Sequence, residues 1–151
     1  DGSGSYTVQG NPEIPEDYRF AGFSQPPAGY SLEASEIRVE YNCCNYLAQE
    51  LRSDGGTRRL YLNCWLGTQE MRNYFRASSE EAVQQVTVKG NPGYLFCAAN
   101  YGVVLWVADG YQCLSLSIDG NTTPEVLLEL AQQVEPMERD AIPQLPSSLG
   151  A

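Results

Sequence analysis

The chain has 151 residues, a length that suits one domain able to bury roughly two thirds of its unfolded surface without a metal or disulfide staple. Nine Lys and Arg against nineteen Asp and Glu give a net charge of −10, which argues against a nucleic-acid partner and against a polybasic membrane-surface role. There is no histidine, which excludes His-based triads, His general bases and every metal site that needs imidazole.

In chain order, residues 1–26 are rich in Gly, Pro, Ser and acids and read as a linker and irregular or edge-strand lead-in, closed by Pro26-Pro27. A signal peptide or membrane anchor upstream of Asp1 is compatible with this opening, so the one membrane association expected is through such a removed N-terminal anchor. No apolar run approaches the ~18–20 residues of a spanning helix.

Residues 27–135 are expected to form a single α+β domain. Ile37 to Tyr41 running into Tyr46 to Leu51 predicts one hairpin arm and Arg59 to Trp65 the other, around Ser53-Asp54-Gly55-Gly56-Thr57. Tyr46 to Leu51 also has helical propensity. Ser78 and Glu81 have capping-box spacing, so residues 78–85 read as a short helix or as an extended lead into Val86-Thr87-Val88. Residues 86–118 predict a β-meander with turns at 89–93, Asn100 to Gly102 and Asp109-Gly110. A helix is predicted over 124–134, with Leu127, Leu130, Ala131 and Val134 on one face. Thr123 before Pro124 fits N-cap then N1, and Thr122 with Glu125 offers a capping box one residue earlier. Pro136, Pro143 and Pro146 mark residues 136–151 as a tail without a fixed fold.

Strand alternation assigns side chains to faces. A two-residue turn at Asp109-Gly110 puts Val103, Leu105, Val107, Leu114, Leu116 and Ile118 on one face, opposite Val104, Trp106, Tyr111 and Cys113. A three-residue turn at Asn100 to Gly102 adds Tyr94 and Phe96 to the Trp106 face, and Leu95 and Cys97 to the aliphatic one. The single helix covers one face and is assigned to the aliphatic side. The aromatic face of Tyr94, Phe96, Trp106 and Tyr111 is then either covered by the N-terminal segment or another hairpin, or open as a floor for a ligand or partner.

Chemistry-bearing constellations are few. Cys43, Cys44, Cys64, Cys97 and Cys113 form no CxxC pair and read either as small buried apolar residues or as one or two disulfides of an oxidising compartment. In the register above Cys97 and Cys113 point to opposite sides and cannot bond. The carboxylate pairs Glu36 with Glu40, Glu80 with Glu81 and Glu16 with Asp17 lie in polar runs and lack the buried cleft of a glycosidase. Asp119-Gly120-Asn121 has the start of a calcium loop without its later ligands. Asn121-Thr122-Thr123 is a glycosylation sequon whose threonines a helix cap also explains. Arg52, Arg58 and Arg59 cluster at the hairpin tip, either as a solvated edge or as a contact for an acidic partner. No catalytic residue, metal ligand or cofactor is assigned.

The order of Pro27-Ala28-Gly29-Tyr30, a hairpin, the run Val86 to Tyr94 (VTVKGNPGY), Leu105-Trp106, Asp109-Gly110, a strand ending near Ile118 and Pro124 to Ala131 resembles a domain of unknown function. That domain occurs in the extracytoplasmic C-terminal part of Gram-positive membrane proteins, many of them similar to anti-sigma factors or sporulation-associated proteins. The resemblance spans about residues 27–134 and carries no catalytic residues. It implies a twisted antiparallel sheet with a C-terminal helix on one face, a location outside the cytoplasm and a non-enzymatic sensing or interaction role. Composition and resemblance together set the expectations: a sheet of five to seven strands, no cofactor, and an unknown protein or a small apolar ligand as partner.

Overall fold

In the computed structural model the described residues are 5–7, 20–40, 44–66, 83–108 and 112–138. They form an antiparallel sheet of eight strands, a separate two-stranded ribbon and one helix. The α+β class is therefore as expected, with more strands than the sequence suggested.

The strands are β1 (Ser5–Thr7), β2 (Phe20–Gly22), β3 (Tyr30–Glu40), β4 (Cys44–Ser53), β5 (Arg59–Leu66), β6 (Gln84–Val88), β7 (Asn91–Ala98), β8 (Tyr101–Ala108), β9 (Gln112–Asp119) and β10 (Glu135–Met137). The large sheet runs β1-β3-β4-β5-β9-β8-β7-β6. Two meanders, β3-β4-β5 and β6-β7-β8-β9, thus meet where β5 pairs with β9. The single arm expected over 37–51 is two strands folded on each other, with Ile37 opposite Leu47. Tyr46 to Leu51 is strand throughout. The β4–β5 hairpin turns where Asp-Gly and Gly-Gly placed it. The Ser78–Glu81 capping box lies outside the described residues, and the extended reading holds from Gln84 onward.

One face of the sheet is the core. Its rows cross the strands without interruption: Ile37, Leu47, Cys64, Leu114, Trp106, Gly93 and Val86 form one, and Ser35, Gln49, Leu62, Leu116, Val104 and Leu95 the next. A third runs Leu32, Leu51, Leu60, Ile118, Gly102 and Cys97. Leu47, Leu51, Leu60, Leu62, Leu114, Leu116 and Ile118 are fully buried.

Two covers lie on this same face. The helix, α1 (Pro124–Ala131), packs over β7, β8 and β9 through Leu127, Leu130 and Ala131, and Val134 follows as the next buried residue. Thr123 is its N-cap, its Oγ1 accepting from the Val126 N–H at 3.3 Å, with Pro124 behind it. The approach depends on Gly102, because a Cβ there would meet Thr122 Cγ2 at 2.5 Å and Leu127 Cδ1 at 2.7 Å. Lys89 secures the far end, donating from Nζ to the Val134 carbonyl at 2.7 Å.

The other cover is the β2–β10 ribbon, set over β4, β5 and β9. It buries Phe20, Phe23 and Met137. β2 lies before the limit of 27 read from composition, and β10 runs across the limit of 135 to Met137. The core therefore takes its lid from residues assigned to the lead-in and the tail. Residues 139–151 lie outside the described part.

The face assignment of β8 is reversed from the sequence reading. The pair Ala98↔Tyr101 leaves a two-residue turn at 99–100 where three residues were expected, starting one later. The pair Ala108↔Gln112 leaves residues 109–111 between β8 and β9 where two were expected. Each difference changes the alternation parity, so β8 is turned over between neighbours that keep their mutual relationship. Leu95, Cys97, Leu114, Leu116 and Ile118 share a face as expected, but Val104 and Trp106 join them, and Val103, Leu105 and Val107 go to the other side.

Candidate binding face

The outer face of β5, β9, β8 and β7 is the side that neither α1 nor the ribbon covers. One row there reads Ala48, Asn63, Ser115, Leu105 and Tyr94, and the next Glu50, Tyr61, Ser117, Val103 and Phe96. Tyr94, Phe96, Val103, Leu105 and Val107 are half-buried, and Tyr101 beside them is 43% exposed. Cys113, on the same face opposite Val107, is fully buried. The arrangement offers an apolar and aromatic floor on β7 and β8 beside a hydroxyl and amide strip on β9 and β5.

The expected quartet of rings does not assemble. Tyr94 and Phe96 are on the outer face, whereas Trp106 is on the inner one, 3% exposed. The cause is the reversal of β8. Trp106 lies opposite Gly93, where an added Cβ would meet the Leu105 carbonyl oxygen at 2.6 Å and Trp106 Cβ at 3.0 Å. Tyr111 lies outside the described residues.

The basic cluster is largely neutralised within the chain. Arg52 and Arg59 are cross-strand neighbours on the outer face. Arg59 Nη1 lies 3.2 Å from Glu50 Oε1, and Arg52 Nε lies 3.5 Å from Glu33 Oε1. Glu33 is positioned by a register shift between Leu32 and Ala34, a bulge that sequence reading missed. The Arg52 Nε atom is shielded and makes no hydrogen bond, so that pair is a Coulombic contact. Tyr61, with Glu50 and Glu33 adding smaller effects, raises the Arg59 pKa further above its ordinary value. Arg58 anchors the turn through its backbone, donating to Ser53 Oγ at 3.1 Å.

The remaining reactive groups are sequestered or scattered. Cys64, Cys97 and Cys113 are free thiols, while Cys43 and the Cys44 side chain fall outside the described part. Cys97 and Cys113 do project from opposite faces, because the two turn changes cancel between β7 and β9. Burial pushes the Cys64 thiol up to about 12. Among the described residues no group of three or more Cys, Asp or Glu side chains could hold a metal ion, and no helix is long and apolar enough to cross a membrane. Of the carboxylate pairs only the Glu36 side chain lies among the described residues, half-buried on the outer face beside Ala48.

Comparison with protein-family models, with curated proteins and with solved structures finds no match to this chain.

Proposed function

We propose that this chain is a non-enzymatic interaction or sensing domain that works outside the cytoplasm and meets its partner through the outer face of β7, β8 and β9. The carrying observation is the distribution of covers: the helix and the ribbon occupy one face, and Tyr94, Phe96, Val103 and Leu105 sit together on the other. Apolar side chains gathered on a sheet face and bordered by polar groups are a usual mark of a contact surface. The partner is a molecule with an apolar or amphiphilic contact region, and the hydroxyl strip of Ser115 and Ser117 supplies polar contacts at its border. The extracytoplasmic location draws its support from the resemblance over about residues 27–134.

The test is a methyl and amide NMR titration with octyl glucoside, a neutral amphiphile, kept below its micelle concentration. Shift changes are expected at Tyr94, Phe96, Val103 and Leu105, with the Trp106 indole unmoved. A spectrum without changes, or changes confined to the inner face, would overturn the reading. Trp106 is a poor reporter of this event, because its ring faces the core.

A further inference from the structure

We propose that β6 is a self-pairing edge through which two copies of this chain join their sheets around a two-fold axis. Among the described residues β6 has one neighbour, β7. Lys89 and Gly90 both have positive φ, 50° and 83°, so the β6–β7 connection is a two-residue turn of the primed type. In such a hairpin the flanking pair Val88↔Asn91 exchanges hydrogen bonds, and so do Val86↔Gly93 and Gln84↔Leu95 by alternation. Thr87↔Pro92 and Gln85↔Tyr94 are then the unbonded pairs, which agrees with proline having no N–H to give. The N–H and C=O of Thr87 and Gln85 therefore point to the free edge. Both residues are exposed, and among the described residues neither has a hydrogen bond on that side.

This edge lacks the features by which sheet edges resist pairing. Gln84–Val88 has no charge, no proline and no bulge, in a chain that otherwise carries −10. Its outward groups are symmetric about Val86. An antiparallel copy centred there sets Gln85 against the partner's Thr87 and Thr87 against the partner's Gln85, each pair exchanging both bonds. Val86, half-buried and packed at the margin of the core, meets the partner's Val86 on the inner face. The core row through Trp106, Gly93 and Val86 then continues into the second sheet. Two-fold closure uses up both edges and gives a dimer with no open-ended assembly through β6. A five-residue pairing is at the small end of specific interfaces, and the like charges of the two copies oppose it. Added salt, by screening that repulsion, is expected to tighten the dimer.

Sedimentation velocity of the full chain, from about 10 μM to about 1 mM, in about 0.1 M and about 0.5 M NaCl, tests this. A monomer–dimer transition at lower concentration in higher salt is expected. Thr87→Pro removes one outward donor where proline is tolerated and should weaken the dimer about tenfold with an unchanged circular dichroism spectrum. If that variant fails to fold, Gln85→Glu with Thr87→Glu, at two exposed positions, is expected to abolish the dimer. Oxidation of Val86→Cys should join two chains through the introduced thiols, as peptide mapping would show. A wild-type monomer at every concentration and salt, a dimer unaffected by these edge substitutions, or no Val86→Cys cross-link would each overturn the proposal. Phe96→Ser and Leu105→Ser, which alter the outer face, should leave dimerisation unchanged, so this edge and the proposed binding face fail independently.

Discussion

The carboxamide of Gln49 binds the backbone of Phe23 as a neighbouring strand would. Its Oε1 accepts from the Phe23 N–H at 2.8 Å, and its Nε2 donates to the Phe23 carbonyl at 2.9 Å. Gln49 is 2% exposed, and its Nε2 also donates to Ser35 Oγ at 3.3 Å. A polar group this deep is tolerated because its hydrogen-bonding capacity is met. The consequence is that one side chain of β4 fixes the chain just after β2, and so seats the ribbon over the sheet.

Gln49→Ala strands the Phe23 N–H and C=O in the core and is expected to cost about 2–4 kcal/mol in urea unfolding. Gln49→Glu keeps the acceptor but sets a buried carboxylate against the Phe23 carbonyl. Burial raises that acid's folded pKa above its unfolded value near 4.3, so the penalty is small below about pH 4 and grows as pH rises toward neutrality. A Gln49→Glu protein equally destabilised at both pH values would contradict this role.

The junction of helix and sheet is tested at Gly102. Gly102→Val drives a branched side chain into Thr122 and Leu127 and should cost about 1–3 kcal/mol by overpacking. Thr123→Ala, which removes the cap, should cost about 1 kcal/mol. Thermal unfolding followed by far-ultraviolet circular dichroism measures both, and a neutral Gly102→Val would mean that α1 does not rest there.

The thiols give a pH and reactivity test. Burial holds the folded pKa of Cys64 at about 12 against an ordinary value of 9.0. The sign follows from linkage: stability from the protonated thiol is complete below about pH 9 and is lost as pH rises toward about 12, at about 1.4 kcal/mol per pH unit. Cys97 is also shifted upward, by burial and by Glu125, but is only half-buried. Iodoacetamide at mildly alkaline pH, read by peptide mass mapping, should label Cys97 while Cys64 and Cys113 stay protected until denaturant is added. Rapid native labelling of Cys64 would contradict its burial.

Much of this architecture was legible in the sequence. The helix was readable because Leu127, Leu130, Ala131 and Val134 repeat at helical spacing, and Thr123-Pro124 marks its start. The meander was readable from its strand-length apolar runs. What was not legible was turn length. Asn100 to Gly102 looks like a glycine turn, yet Gly102 is a strand residue whose missing Cβ admits the helix. Asp109-Gly110 looks like a two-residue turn, yet three residues separate the ladder ends. A one-residue difference turns a strand over, so Trp106 was assigned to the wrong face while the strands flanking β8 were assigned correctly. The ribbon was missed for another reason. Phe20 and Met137 come from short strands far apart in sequence, and their cohesion depends on Gln49, a polar residue that no hydrophobic pattern flags.

The helix and ribbon share one face of the sheet and leave Val103 and Leu105 on the other. Paramagnetic relaxation by a soluble gadolinium chelate, measured at assigned methyl groups, tests it directly. Strong attenuation is expected at Val103 and Leu105, with persistence of the signals of Val104 and Leu116. Equal protection of all four, or attenuation of Val104 with Leu105 spared, would contradict it.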